Sequence, residues 1–178
     1  MSSVGLATGF QHTHREAEGP IAAGVRAPLW PVALLFVVGL IGGCASPPPK
    51  PTEISGVLQA AANVNPSVSR RPSPLLVRLY ELKSPTAFNN ADFVSLYQRD
   101  QVELGAELVS RDEFVLAPGE SRLLNKVAAP ETRFIGVLGA YRDLDHAKWR
   151  SVVALQLGQK QRIVISAEEL SITATVAK

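Results

Sequence analysis

The chain has 178 residues, 46% of them hydrophobic and 19% charged, with a formal net charge of +2. That length and composition fit about one globular domain and exclude a disordered chain. A single cysteine excludes an internal disulfide framework and any CxxC metal site, and residues 44–178 mix sixteen Lys/Arg with fourteen Asp/Glu, so the basic stripe that a nucleic-acid surface needs is missing.

The first element in chain order is an apolar run, Leu29–Ile41, that stops at Gly42, Gly43 and Cys44. Its thirteen residues fall short of the roughly 20 that a transmembrane helix needs, but they fit the ~7–15 residue apolar region of a secretory signal. Arg26 and Arg15 supply the positive charge that precedes such a region. Ile-Gly-Gly-Cys resembles the bacterial lipobox, which makes residues 1–43 a lipoprotein signal peptide and Cys44 the acylated first residue of the mature chain. That covalent lipid is the only prosthetic group expected. Ala45, and not Asp, follows the cysteine, which points to the outer membrane. The alternative is a signal anchor that happens to contain a cysteine. Residues 1–24 are long for a signal and hold two acids and two histidines, so the expected translation start is Val25, read from an alternative start codon.

Residues 44–52 read as the lipidated tether, in which Pro47–Pro49 and Pro51 favour an extended, semi-rigid spacer. The domain proper spans 53–178. Short alternating runs predict strands over Ile54–Ala62, Leu75–Leu82, Glu107–Leu116, Ser121–Val127, Arg133–Tyr141, Trp149–Leu157, Arg162–Ser166 and Leu170–Val176. Leu75, Val77 and Leu79 share one face of the second strand, and Arg78 on the other face extends toward solvent. A bulge is expected near Arg111–Glu113. Arg133–Tyr141 is apolar on both faces, as a central strand is. Phe88, Phe93, Leu96 and Tyr97 break the β rhythm with near-helical spacing, and Asn89, Asn90 or Asp92 can cap a helix. One or two short helices are therefore expected near 86–104, on a sheet edge or face. About eight strands with a helical insertion predict an all-β, two-sheet sandwich.

No reaction centre assembles from these residues. His146 is the one histidine after the leader, and a tetrahedral metal site wants three or four ligands. Ser151, His146 and Asp143 could be composed into a triad, but no GxSxG elbow supports it. The pairs Asp112-Glu113, Asp143/Asp145 and Glu168-Glu169 fall at predicted turns or strand ends, where solvated charge is the simpler reading. Gly136 and Gly139 lie in a strand and not in a phosphate-binding loop. Tyr141 is expected to bury its ring with the hydroxyl at the rim, and Trp149 to cover one end of the sandwich. The chain is not expected to be an enzyme. What remains is recognition by "NVNPSVSRRPSP", residues 63–74, a connection too long for a tight hairpin and stiffened by three prolines.

The stretches "LLVRLYELKSPTAFNNADFVSLYQRD" and "FIGVLGAYRDLDHAKWR", with the lipobox, "NVNPS" and "LAPGES" in this order, resemble the outer-membrane lipoprotein family of bacterial type VI secretion, TssJ (SciN/VasD). The resemblance covers nearly all of the chain after Cys44. It implies a transthyretin-like sandwich on the periplasmic face of the outer membrane, held there by acyl chains. It also implies a partner, the C-terminal periplasmic region of TssM, and through it TssL. In the family the loop between the first two strands carries much of that contact; by position this is Asn65, Pro66, Ser67, Val68, Ser69, Arg70 and Arg71. The alternative reading is a periplasmic lipoprotein that binds a small ligand or chaperones an envelope protein.

Overall fold

A computed structural model describes residues 50–177. The signal peptide, the Val25 start, Cys44 and the tether as far as Pro49 lie outside the described residues.

Eight strands run in chain order: β1 (Thr52–Ala60), β2 (Leu75–Leu82), β3 (Leu108–Leu116), β4 (Ser121–Ala128), β5 (Phe134–Gly139), β6 (Arg150–Ala154), β7 (Lys160–Ala167) and β8 (Ile172–Ala177). Helices α1 (Thr86–Asn90) and α2 (Phe93–Leu104), then a single 3-10 turn at Gly105–Glu107, fill the connection from β2 to β3. The strands form two sheets of four, ordered β4-β1-β7-β8 and β3-β2-β5-β6. All pairings within them are antiparallel except β1 with β7, which run parallel. The two-sheet sandwich expected from the alternating runs is therefore observed. The first strand starts two residues earlier than its apolar pattern suggests.

The inner faces meet where the alternation dictates. Ile54 and Leu58 of β1 and Ile163 and Ile165 of β7 pack in one cluster with Leu75, Val77 and Leu79 of β2 and Ile135 and Val137 of β5. The outer face of the second sheet is buried as well. Tyr80, Leu82 and Leu138 lie beneath Phe88, Leu96 and Leu104 of the helices, so the insertion sits on a sheet face and not on an edge. This explains why β5 is apolar on both faces. Asp92 caps α2, its carboxylate accepting from the Ser95 backbone N–H at 2.9 Å. Gly136 gives the ring of Phe88 its room, since a Cβ there would stand 3.2 Å from the ring's Cζ.

Two expectations are corrected. Arg78 does not reach solvent. Its guanidinium donates to Glu113 and to the Tyr97 carbonyl, both at 2.7 Å, and lies over the Tyr97 ring, because α2 covers the face from which it projects. The bulge is not at Arg111–Glu113 either. Those residues pair in unbroken register with Arg78–Tyr80, and the shift falls where Glu81 and Leu82 meet Ser110 and Leu108. Regular alternation at 111–113 is what allows Arg111 to meet Asp100, Asp112 to meet Lys126 and Glu113 to meet Arg78.

The topology sorts the connections into two ends. Residues 61–74, 117–120, 140–149 and 168–171 gather at one end. Thr52, where β1 begins, lies at the other end with the β4–β5 and β6–β7 connections. β1 has nine residues, so the two ends stand roughly 25–30 Å apart.

Candidate functional site

The connection 63–74 has a buried foot and an exposed tip. Val64 is fully buried, and Asn65 is only 3% exposed. Asn65 adopts φ 50°, a left-handed conformation that Asn tolerates better than most residues. Three of its polar groups are used: its backbone N–H donates to the Glu169 carbonyl at 3.0 Å, its side-chain Nδ2 to the Pro74 carbonyl at 2.9 Å, and its Oδ1 accepts from the Arg142 backbone N–H at 2.8 Å. Asn65 thus supports the loop from beneath and does not face outward with the other residues assigned to the contact. Sequence reasoning grouped it with them because position alone cannot separate foot from tip.

Above the foot, Ser67 closes the tip. Its N–H donates to the Arg71 carbonyl at 2.8 Å, its hydroxyl accepts from the Arg71 N–H at 3.2 Å, and its carbonyl accepts from the Arg70 N–H at 2.8 Å. Arg70 takes φ 60°. Pro66 is half-buried, whereas Val68, Ser69, Arg70 and Arg71 are exposed, Val68 completely. The tip is therefore a tight, internally bonded turn that presents one apolar and two guanidinium side chains.

Neighbouring loops brace it. The Tyr141 ring is buried and its hydroxyl donates to the Ser171 carbonyl at 2.6 Å, joining the β5–β6 and β7–β8 connections as expected for a ring below and a hydroxyl at the rim. Burial pushes that phenol well above its ordinary pKa, with the nearby Glu168 adding to the shift. Asn63 donates to the Glu169 carboxylate at 3.0 Å. Between the tip and these turns lies an open groove of about 590 Å³, bordered by Pro66, Val68, Arg70, Arg142, Asp143 and Leu170 among others. Trp149 does not close this end alone. It packs toward both cores, edge-on to Phe93, with the Arg150 guanidinium over its ring.

The triad does not form. Asp143 accepts from His146 Nδ1 at 2.8 Å and this hydrogen bond raises the pKa of the imidazole, which stays largely exposed. Ser151 is engaged elsewhere, its hydroxyl accepting from the Ala174 N–H at 3.0 Å and tying β6 to β8. Among the described residues no group of three or more His, Cys, Asp or Glu is placed to hold a metal ion.

Two buried carboxylates escaped the sequence reading. Glu81 accepts from Lys126 at 2.6 Å, from the Thr132 hydroxyl at 2.7 Å and from the Ala129 N–H at 2.9 Å. Asp100 accepts from Arg111 at 2.6 Å and from Tyr80 at 3.2 Å. Burial pushes the Tyr80 hydroxyl up to about 12. Both carboxylates lie within saturated networks that fasten elements together. An acid in step with Leu75, Val77 and Leu79 on the inward face of β2 was the available signal for Glu81.

Residues 52–170 match the family model T6SS-SciN, described as type VI secretion lipoprotein, VasD, EvfM, TssJ, VC_A0113. The chain belongs to this family. The crystal structure of the T6SS lipoprotein TssJ1 from Pseudomonas aeruginosa is 40% identical and superposes with a TM-score of 0.70, over 72% of this chain and 98% of that one. Serratia marcescens Lip, a membrane-bound component of the type VI secretion system, is 28% identical with a TM-score of 0.62, over 71% of this chain and 97% of that one. A chain of the type VI membrane complex shares the fold at 23% identity and a TM-score of 0.58, over 71% of this chain and 98% of that one. No curated protein sequence matches significantly. Membership makes the chain a type VI secretion lipoprotein, a structural component and not an enzyme, and accords with the lipid-anchored outer-membrane location that the sequence implies.

Proposed function

We propose that this lipoprotein anchors the type VI membrane complex at the outer membrane through acyl chains on Cys44, and binds the C-terminal periplasmic region of TssM, and through it TssL, with the tip Pro66–Arg71 held up by Asn65. The observation that carries this reading is the braced loop end: a tight turn presenting Val68, Arg70 and Arg71 beside an open groove. Two of its features favour binding. A turn fastened by its own hydrogen bonds loses little entropy on docking. Arginine is enriched among residues that dominate interfaces. The loop end also lies opposite Thr52, the side on which the chain arrives from Cys44, so an anchored domain presents its tip away from the bilayer. Membership in a family of type VI secretion lipoproteins supports the anchoring role.

The test is a titration of the purified mature protein with a TssM periplasmic fragment, together with Cys44→Ser in cells. Saturable binding is expected, as is an unprocessed, unanchored variant that no longer supports secretion. No binding, or a variant matured and retained in the outer membrane, would refute the partner and the anchor respectively.

A further inference from the structure

The end of the sandwich opposite the loops carries a second groove, of about 560 Å³, that the proposed partner contact does not use. Lys50, Pro51, Val127, Pro130, Arg133 and Leu157 border it. Leu157 is 47% and Val127 62% exposed, so its apolar lining faces solvent. Its charges are uneven. Glu53 is paired with Lys160 at 3.7 Å, and Glu131 with Lys83 at 3.0 Å. Lys50 and Arg133 have no carboxylate partner among the described residues. Arg133 is held at the rim by donating to the Pro130 carbonyl at 2.8 Å and the Thr132 carbonyl at 3.3 Å. These bonds fix the position of an exposed guanidinium without neutralising it.

Distance selects the occupant. Lys50 is the sixth residue after Cys44, and a fully extended chain of that length spans at most about 20 Å. An acylated Cys44 therefore keeps this end within one short reach of the headgroups, whereas the loop end is a further strand length away. A cationic rim around exposed Leu157 and Val127 suits an anionic interface, where basic side chains meet phosphates and apolar ones enter the headgroup layer.

The geometry points to the Lys50–Arg133–Leu157 groove as a membrane-docking face that seats this end of the domain on anionic phospholipid and so orients the partner-binding loops away from the bilayer. This rests on the anchoring through Cys44 proposed above.

The acylated cysteine is the only one in the chain, so one new thiol can be labelled uniquely. Mature, lipidated Leu157→Cys carrying a fluorophore is reconstituted into vesicles of phosphatidylglycerol and phosphatidylethanolamine doped with a nitroxide lipid, with Val68→Cys as the control at the opposite end. Docking predicts several-fold stronger lipid quenching at 157 than at 68, and loss of the difference in Lys50→Glu/Arg133→Glu, with unfolding curves unchanged. It also predicts weaker quenching at 157 in phosphatidylcholine vesicles. If quenching at 157 survives charge reversal, the domain is merely tethered nearby and the docking face is refuted. A label at 157 shielded equally with and without lipid shows the groove filled by the chain itself, which also refutes it. Protein that does not float with the vesicles overturns the anchor and the docking face together, whereas floating protein with an unquenched label overturns the docking face alone.

Discussion

Asn65 and Arg142, 77 residues apart in sequence, are joined by a 2.8 Å hydrogen bond from the Arg142 backbone N–H to the Asn65 side-chain oxygen. The bond makes the β1–β2 connection and the β5–β6 connection one surface. It also explains why a residue in the presumed contact loop is itself buried.

Asn65→Ala removes both side-chain hydrogen bonds and places a Cβ without a compensating polar group at φ 50°. Two lost bonds and a left-handed alanine together cost about 3 kcal/mol. Asn65→Gly tolerates that backbone and should recover about 1 kcal/mol of it. Urea unfolding of the two variants checks the order; a glycine variant no more stable than the alanine one would mean that backbone strain plays no part.

Glu81 gives the stability an acid limb. Burial drives its carboxyl pKa upward, but hydrogen bonds from Lys126, Thr132 and Ala129 outweigh burial and hold it below the usual carboxylate range. A group whose folded pKa is depressed contributes stability above its unfolded pKa, about 4.3, and loses it as pH falls through the folded value. Lys126 runs the other way. Burial lowers its pKa, hydrogen bonds to Asp112 and Glu81 raise it by more, and the net shift is upward. Its contribution is complete below about pH 10.4 and is lost as pH rises through the folded value. Glu81→Gln should cost about 2 kcal/mol at neutral pH, less than a fully orphaned buried charge because Lys126 keeps Asp112. The gap to the wild type should close as pH falls below about 4. A gap that stays constant across that range would mean that the ionised form is not what stabilises.

Much of this architecture was legible because it follows from alternation. Leu75–Leu82 appears with the bounds its pattern suggests, and Asp92 caps the helix that the aromatics at 88–97 announce. What was not legible depends on which surface covers which. Arg78 reads as a solvent-facing charge until α2 is laid over it, and the polar side chain of Asn65 resembles that of any loop residue. Period-2 patterns specify faces, but they carry no information about a third layer or about the far partner of a loop. The parallel pairing of β1 with β7 was likewise invisible, since it joins strands separated by five others.

That parallel pair yields a prediction about Gly56, which in sequence only weakens the first strand. In the sheet it faces Ile163 of β7, and an added Cβ would collide with the Ile163 carbonyl oxygen. The colliding atom is backbone, so relief requires the two central strands to separate. Gly56→Ala should cost about 3 kcal/mol, at the high end for overpacking. Thermal unfolding measures this directly; a variant within about 0.5 kcal/mol of the wild type would show that the pair is not so tightly seated.

The partner contact is best tested by charge and not by deletion. Removing Pro66–Arg70 would destroy the Ser67 bonds and pull on Asn65, so any loss of binding would be confounded with unfolding. Arg70 and Arg71 are exposed and form no ion pair among the described residues. Reversing both to Glu should leave the melting temperature nearly unchanged. Affinity for a TssM periplasmic fragment should fall at least about tenfold, or roughly 1.4 kcal/mol. Wild-type affinity should also decline with salt more steeply than that of the variant, because exposed charges are screened over about 10 Å at 0.1 M. The helical insertion offers Val94 and Val102 to solvent, but its phenylalanines are engaged, since Phe88 is fully buried and Phe93 stacks on Tyr97 and meets Trp149 edge-on. The open face of the first sheet is the alternative surface: Leu123, Val57 and Val164 are neighbours across β4, β1 and β7, and no helix among the described residues covers them. Unchanged affinity in the Arg70→Glu/Arg71→Glu protein would move the interface there, and Leu123→Asp would then be the variant that loses binding.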